Sequence, residues 1–298
     1  MSAAAMAVAL LAAAILLPAV LPVASLASLP LVIGSAAVVA FVILKRGEAA
    51  ALHAAGLCLV ILVVLSLVLA GTATQIPLVA LVLWLPAIVA AVVLRRLVSL
   101  DLAVLAVVAA GLLTAVGVHL FTGSDPGFWR EAVMLQLGDP SRTGLTAPQF
   151  DALVTMLASR MTGATGVSVM LVALCALFLA RHWQASLMRP GGFREEFHDL
   201  SLGKGPAVAC LALIAVSVLI DGVLWDAFAF VAVVAFFVQG VAVAHALVAR
   251  RGMAKGWLVG LYAMFLLPHT ILLLAALGLA DNLFPLRPPT TPSGDKPV

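Results

Sequence analysis

Runs of about twenty apolar residues, nearly free of charge, follow one another along most of the chain, as in "FAFVAVVAFFVQGVAVAHALVA". Each is long enough, at 1.5 Å per helical residue, to cross a hydrocarbon layer about 30 Å thick. A barrel strand would alternate polar and apolar residues, whereas these runs are apolar all round, so the backbone must satisfy itself within helices. Hydrophobic residues make up 64% of the chain and charged ones 10%, with a mean hydropathy of +1.23. Soluble domains hold roughly 45 to 50% apolar residues, so the solvent here is largely lipid. The expected fold class is all-α, a polytopic transmembrane helix bundle.

Nine spans fit the pattern: about Ala3 to Val20, Leu26 to Leu44, Ala49 to Ala70, Ile76 to Leu94, Leu100 to Phe121, Thr162 to Ala180, Pro206 to Ile220, Ala227 to Ala249 and Trp257 to Ala280. The first two share an uncharged stretch broken by Pro18, Pro22 and Pro30, and one long kinked segment there leaves eight. The first run lacks a basic leader and reads as a span rather than a cleaved signal. Residues 1–287 read as one transmembrane domain and 288–298, rich in Pro, Ser and Thr, as a disordered tail.

Lys45, Arg46, Arg95, Arg96, Arg181, Arg189, Arg194, Lys204, Arg250, Arg251 and Lys255 fall in one set of alternate connectors, against Arg130, Arg142 and Arg160 in the other. The positive-inside rule predicts a cytoplasmic N-terminus in a bacterial inner membrane and, with nine spans, an external C-terminus. The same rule explains the net charge of +3 without a nucleic-acid partner. Cys58, Cys175 and Cys210 lie inside apolar runs and read as small packing residues.

Residues 122–161 are too polar to span. "SDPGFWREAVMLQL" carries Ser124 or Asp125 as a cap and Pro126 in the first turn. "TAPQFDALVTMLASRM" opens on a capping box from Thr146 to Gln149 and sets Phe150, Leu153, Val154, Leu157 and Met161 on one face. Two external amphipathic helices are predicted, lying on the membrane or capping the mouth of the bundle.

The connector 181–204 is the polar counterpart, holding Arg181, Arg189, Arg194, Glu195, Glu196, Asp199 and Lys204. Arg181 to Met188 continues the sixth helix, and Pro190-Gly191-Gly192 ends it. Phe193, Phe197 and Leu200 then recur at i, i+4 and i+7, which predicts a short cytoplasmic interfacial helix whose charged residues face away from the membrane. Arg181, His182, Gln184 and Arg189 form a donor-rich group suited to phosphate or carboxylate, with anionic headgroups the commonest source. Phe193, Arg194 and Phe197 offer a docking face for a membrane or cytoplasmic protein partner.

No phosphate loop, metal-ligand spacing, nucleophile elbow or cofactor motif occurs. Polar groups inside the spans are the better clues, because they are costly in hydrocarbon. His53, His245 and His119 lie within about a turn of a span end and can reach an interface. Asp101 reads as the cap of its helix, and Asp221 and Asp226 as the frame of a turn. Gln239 and the Pro268-His269-Thr270 step are mid-span, where proline frees a carbonyl near Phe265 for the adjacent side chains or a ligand. Gln239, His269 and Thr270 are therefore the candidate ligand-binding residues. Gly256 and Gly260 are spaced for close helix contact.

"LARHWQASLMRPGGFREEFHDLSL" and "GLADNLFPLR" resemble the corresponding loop and ending of the YybS-like family of bacterial membrane proteins. The resemblance implies a span pattern similar to that of energy-coupling-factor substrate-binding subunits and MreD-type envelope proteins, and no defined chemistry. The leading expectation is a transport-type membrane subunit that binds a small or amphiphilic ligand and docks a partner through the connector. A non-transporting scaffold of an envelope or division complex is the rival. A membrane enzyme acting on lipid-linked substrates through Arg181, His182 and His198 is a third class.

Overall fold

The computed structural model describes residues 6, 7, 9, 10, 25–68, 76–123, 127–138, 144–267, 269–284, 286 and 287. Most of the first predicted span, the caps Ser124 to Pro126, Pro268 and the tail 288–298 lie outside them. The described residues form helices and no strands. In order these are α1 (Ser25–Arg46), α2 (Glu48–Val68), α3 (Ile76–Leu97), α4 (Leu100–Thr122), α5 (Gly127–Leu137), α6 (Ala147–Met188), α7 (Gly192–Asp199), α8 (Lys204–Leu219), α9 (Val223–Arg250), α10 (Gly256–Met264) and α11 (His269–Leu283). Five of them, α1, α3, α4, α6 and α9, are long and apolar enough to cross a membrane. The number rises to seven if α7 with α8, bent by 54°, and α10 with α11, bent by 120°, each count as one span. The apolar helices thus fit a membrane-embedded protein.

α6 and α9 are the spine. α6 packs on α1, α3, α4 and α9, and α9 also packs on α8 and α11. One core runs through the bundle, with Trp84, Phe236, Met170, Leu174 and Leu177 fully enclosed. The Trp84 indole donates to Ser35 Oγ (3.1 Å) and so joins α3 to α1 without leaving a buried donor unmatched.

At one end of the bundle the basic residues gather. Arg95 donates to the carbonyls of Ile43 (2.9 Å) and Leu44 (3.0 Å), and Gln184 donates to Leu44 (3.0 Å), so α3 and α6 both complete the last turn of α1. Arg96 pairs with Glu48 at the start of α2.

At the other end the second amphipathic stretch is not a separate helix. It continues without a break into the sixth predicted span, giving a 42-residue α6. At 1.5 Å per residue this is about 63 Å, well beyond the roughly 45 Å of a whole bilayer. The excess carries α5, with Val133 packed on Phe150 and Val154. Trp129 donates to Thr162 (3.1 Å), and Arg130 donates to Thr155 (2.8 Å) and pairs with Asp151. Gln149 accepts from the Thr146 amide at 3.0 Å, the reciprocal half of the expected capping box. Asp226, in the first turn of α9, lies 3.6 Å from Arg160 on α6.

The close helix contacts are not where Gly256 and Gly260 suggested. Both those glycines stand clear of any neighbour, on a helix with no buried residue. Instead Gly240 of α9 faces Leu274 of α11 so tightly that a Cβ would lie 1.8 Å from its carbonyl oxygen, and one on Gly278 would lie 2.2 Å from that of Phe236. A second pair, Gly111 and Gly166, brings α4 onto α6, where a Cβ on Gly166 would meet the Gly111 oxygen at 2.7 Å. Cys58 and Cys210 are buried, as packing residues should be, but Cys175 faces outward.

Gly240→Ala and Gly278→Ala must push α11 off α9, at a cost of about 1 to 3 kcal/mol each. Thermal unfolding in detergent should show a clear fall in Tm for both, and little change for Gly256→Ala or Gly260→Ala.

Candidate functional site

α7 ends at Asp199, and Leu200 to Gly203 are non-helical before α8 begins. Leu200 and Leu202 are buried in the bundle, at 0% and 4% exposure, while Ser201 and Gly203 are half-buried, so this irregular backbone is anchored into the bundle by its leucines. Gly203 has φ +89°, a conformation that favours glycine. Unpaired amides in such a place cost about 1 to 3 kcal/mol each. Three successive ones find side-chain acceptors. Ser201 N–H donates to the Asp101 carboxylate (2.9 Å), Leu202 N–H to Gln239 Oε1 (3.0 Å) and Gly203 N–H to Asn282 Oδ1 (2.8 Å).

The acceptors are themselves bound together. Asn282 Nδ2 donates to Gln239 Oε1 (3.0 Å) and to the Gly278 carbonyl (2.7 Å), while its Oδ1 also accepts from Ser201 Oγ (3.0 Å). Gln239 Nε2 donates to Asp281 Oδ2 (3.3 Å). Arg287 closes the ring, donating to Asp281 through Nε (3.0 Å) and Nη2 (2.5 Å) and to the His198 carbonyl through Nη1 (2.8 Å). Arg287 and Asp281 keep only 12% and 2% of their side-chain exposure, which makes this a buried ion pair. The other six ion pairs among the described residues have at least one member 30% exposed or more.

Asp101 therefore does not cap α4. Ser99 does so, accepting from the Leu102 amide (3.2 Å), which leaves the aspartate to reach across to the α7–α8 break. Gln239 lies at the centre, fully buried, with its oxygen and nitrogen both on protein groups. Thr270 and His269 sit at the second interruption, between α10 and α11. Thr270 is buried and donates to the Met264 carbonyl (2.5 Å), one residue from the position expected, while His269 is exposed.

The connector residues are turned on one another. Arg181 pairs with Glu196 and donates to Gln184, and the more exposed Arg189 pairs with Glu195. Arg250 at the end of α9 pairs with Asp199. The acids expected to face water thus tie α7 to α6 and α9. Its apolar face is likewise taken by the chain itself. Phe193 lies 5.8 Å from Phe178 and 6.1 Å from His182 between ring centres, and Phe197 lies 5.5 Å from Phe178 and 5.8 Å from His245. α7 thus packs on the bundle, with both phenylalanines half-buried. Arg194 remains exposed.

His53 and His245 bond to carbonyls one turn back, Ala49 (2.7 Å) and Val241 (2.9 Å). His119 Nδ1 is enclosed with no hydrogen-bond partner among the described residues. Nor do three His, Cys, Asp or Glu side chains gather there as metal ligands. Sequence reasoning missed Ser201, Asn282 and Arg287. The available signal was Asp281-Asn282 followed by Arg287 at the close of an otherwise apolar segment. Comparison with protein-family models, curated proteins and solved structures finds no match to this chain.

Asp281→Asn leaves Arg287 buried without its counter-charge and should cost about 3 to 5 kcal/mol. Adding Arg287→Met should recover much of that loss, and a double-mutant cycle on unfolding midpoints measures the coupling.

Proposed function

We propose that the chain is a transport-type subunit of the bacterial inner membrane, multi-pass, with its basic end and N-terminus in the cytoplasm. Its ligand is small or amphiphilic, and Gln239, Thr270 and His269 contact it. The observation that carries this reading is the interruption between α7 and α8, whose amides at Leu202 and Gly203 are met by Gln239 on α9 and by Asn282 near the end of α11, the helix whose other end is the second interruption. Irregular backbone inside a membrane protein is retained where it is buried or lines a passage, and transporters commonly build their sites from such breaks. Each of the three residues sits at or beside a break.

Kinship with the YybS-like family belongs to the same proposal. The two stretches that carry the resemblance, 179–202 and 278–287, meet in the network through Ser201, Leu202, Asn282 and Arg287. A protein partner docking on the connector would meet the exposed Arg189, Arg194 and Glu195, because Phe193 and Phe197 are packed inward.

Native mass spectrometry of the protein extracted with its own lipids should reveal a co-purifying molecule at about one per chain. His269→Ala and Thr270→Val, which leave the Gln239 network intact, should reduce its occupancy about tenfold, the scale of one lost hydrogen bond to a ligand. Wild-type protein with no retained molecule, or retention unchanged in both variants, would sink the reading.

A further inference from the structure

The turn that ends α9 borders a cleft with two compartments. One, about 520 Å³, lies between α7, the last turns of α9 and the start of α10, with Phe193, Phe197 and Leu258 on its apolar side and Arg194, Lys255, His198 and His245 on its polar side. The other, about 460 Å³, lies between α9, α10 and α11 and is lined by Trp257, Leu261, Met264 and Leu277, with Arg251 at its charged edge. Val248, Met253 and Leu258 line both, so the two adjoin.

The linings are asymmetric in charge. Arg194, Arg251 and Lys255 contribute three cations, and among the described residues no carboxylate lines either compartment. Arg250, next to Arg251 in the chain, is held by Asp199. His245 is already engaged through both ring nitrogens, with the Val241 carbonyl (2.9 Å) and the Tyr262 hydroxyl (3.0 Å). α10, which walls the apolar compartment, buries none of its own residues, and Gly260 leaves open space there. Cations in the lining of two adjoining compartments, one of them almost wholly apolar, match a molecule with a charged head and a hydrocarbon tail. A free anion would leave the slot unused.

We propose that this cleft binds one anionic glycerophospholipid, its phosphate held by Arg194, Arg251 and Lys255 and an acyl chain seated against Trp257, Leu261 and Leu277. Guanidinium groups bind phosphate oxygens in pairs, and lysine adds a mobile point charge. The proposal deepens the amphiphile reading above, and it rests on the membrane placement of the bundle. It depends on no residue of the Gln239 network.

The test uses the full chain in phosphatidylcholine nanodiscs containing a minor fraction of phosphatidylglycerol whose acyl chains are brominated, with Trp257 quenching and native mass spectrometry as readouts. Phosphatidylglycerol should be retained about tenfold over phosphatidylcholine. The triple variant R194Q/R251Q/K255Q should lose that preference while keeping its helical circular dichroism. Leu261→Phe, which narrows the slot and adds neither charge nor an indole, should reduce retention and bromine quenching. Equal retention of the two lipids, or a preference that survives the triple variant, overturns the proposal. A preference untouched by Leu261→Phe means surface charge alone and overturns the seated chain, and displacement by inorganic phosphate overturns it in favour of a free anion. Loss of a ligand in His269→Ala with lipid preference intact separates the failure of one reading from that of the other.

Discussion

Three consecutive backbone amides, those of Ser201, Leu202 and Gly203, lie at the break between α7 and α8, the middle one buried and its neighbours half-buried, with no helix to satisfy them. Amides withdrawn from water outside a helix must find other acceptors. Most of the polar architecture follows from this requirement. α4 supplies Asp101, α9 supplies Gln239, and α11 supplies Asn282. Because these helices are far apart in the chain, meeting the requirement fixes their relative depth and rotation. Gly240 and Gly278 then become necessary, since α11 must come within backbone contact of α9 for Asn282 to reach Gln239 Oε1.

The density of charge in the connector has a related explanation. α7 is eight residues long, too short to hold its shape alone in water. Glu196 on Arg181, Asp199 on Arg250 and the Phe193–Phe178–Phe197 cluster attach it to α6 and α9. Exposed pairs of this kind contribute little each, about 0 to 1 kcal/mol. Their value lies in direction. They hold the end of α7 where Leu200 enters the bundle, so that the next three amides arrive opposite their acceptors.

The apolar runs made the helical membrane fold legible from sequence, and the capping box at Thr146 marked a real helix start. The continuity of α6 was not legible, because an amphipathic stretch and an apolar one look like two objects when read by composition. The break in the last span was half visible: Pro268 announced a freed carbonyl, and the Thr270 hydroxyl takes that of Met264. A 120° turn needs more than a proline, and nothing local in "MFLLPHT" encodes it. At the polar centre, Gln239 stood out as a mid-span amide. Its partners did not, since Asp101 and Asp281 resemble ordinary helix-end acids until the chain is folded. The glycines misled in the same way, as G-x-x-x-G spacing favours close contact but cannot say which face meets a neighbour.

The choice of residues around the break also limits what it can do. Gln239 and Asn282 are neutral, so they match the amides without burying a net charge, and each bond is worth only about 0.5 to 1.5 kcal/mol. Opening the four bonds that side chains make to Ser201, Leu202 and Gly203, one of them to the Asp101 carboxylate, costs several kcal/mol, within the range of local opening. Arg287 and Asp281 are different. Separating them inside the protein costs several kcal/mol more, and Arg287 also holds the His198 carbonyl at the end of α7. The network is therefore uneven, with two neutral amides and the single Asp101 carboxylate against the loop and an ion pair against α11. Any movement that frees the loop while sparing the ion pair swings the start of α8 and leaves the α9–α11 crossing in place.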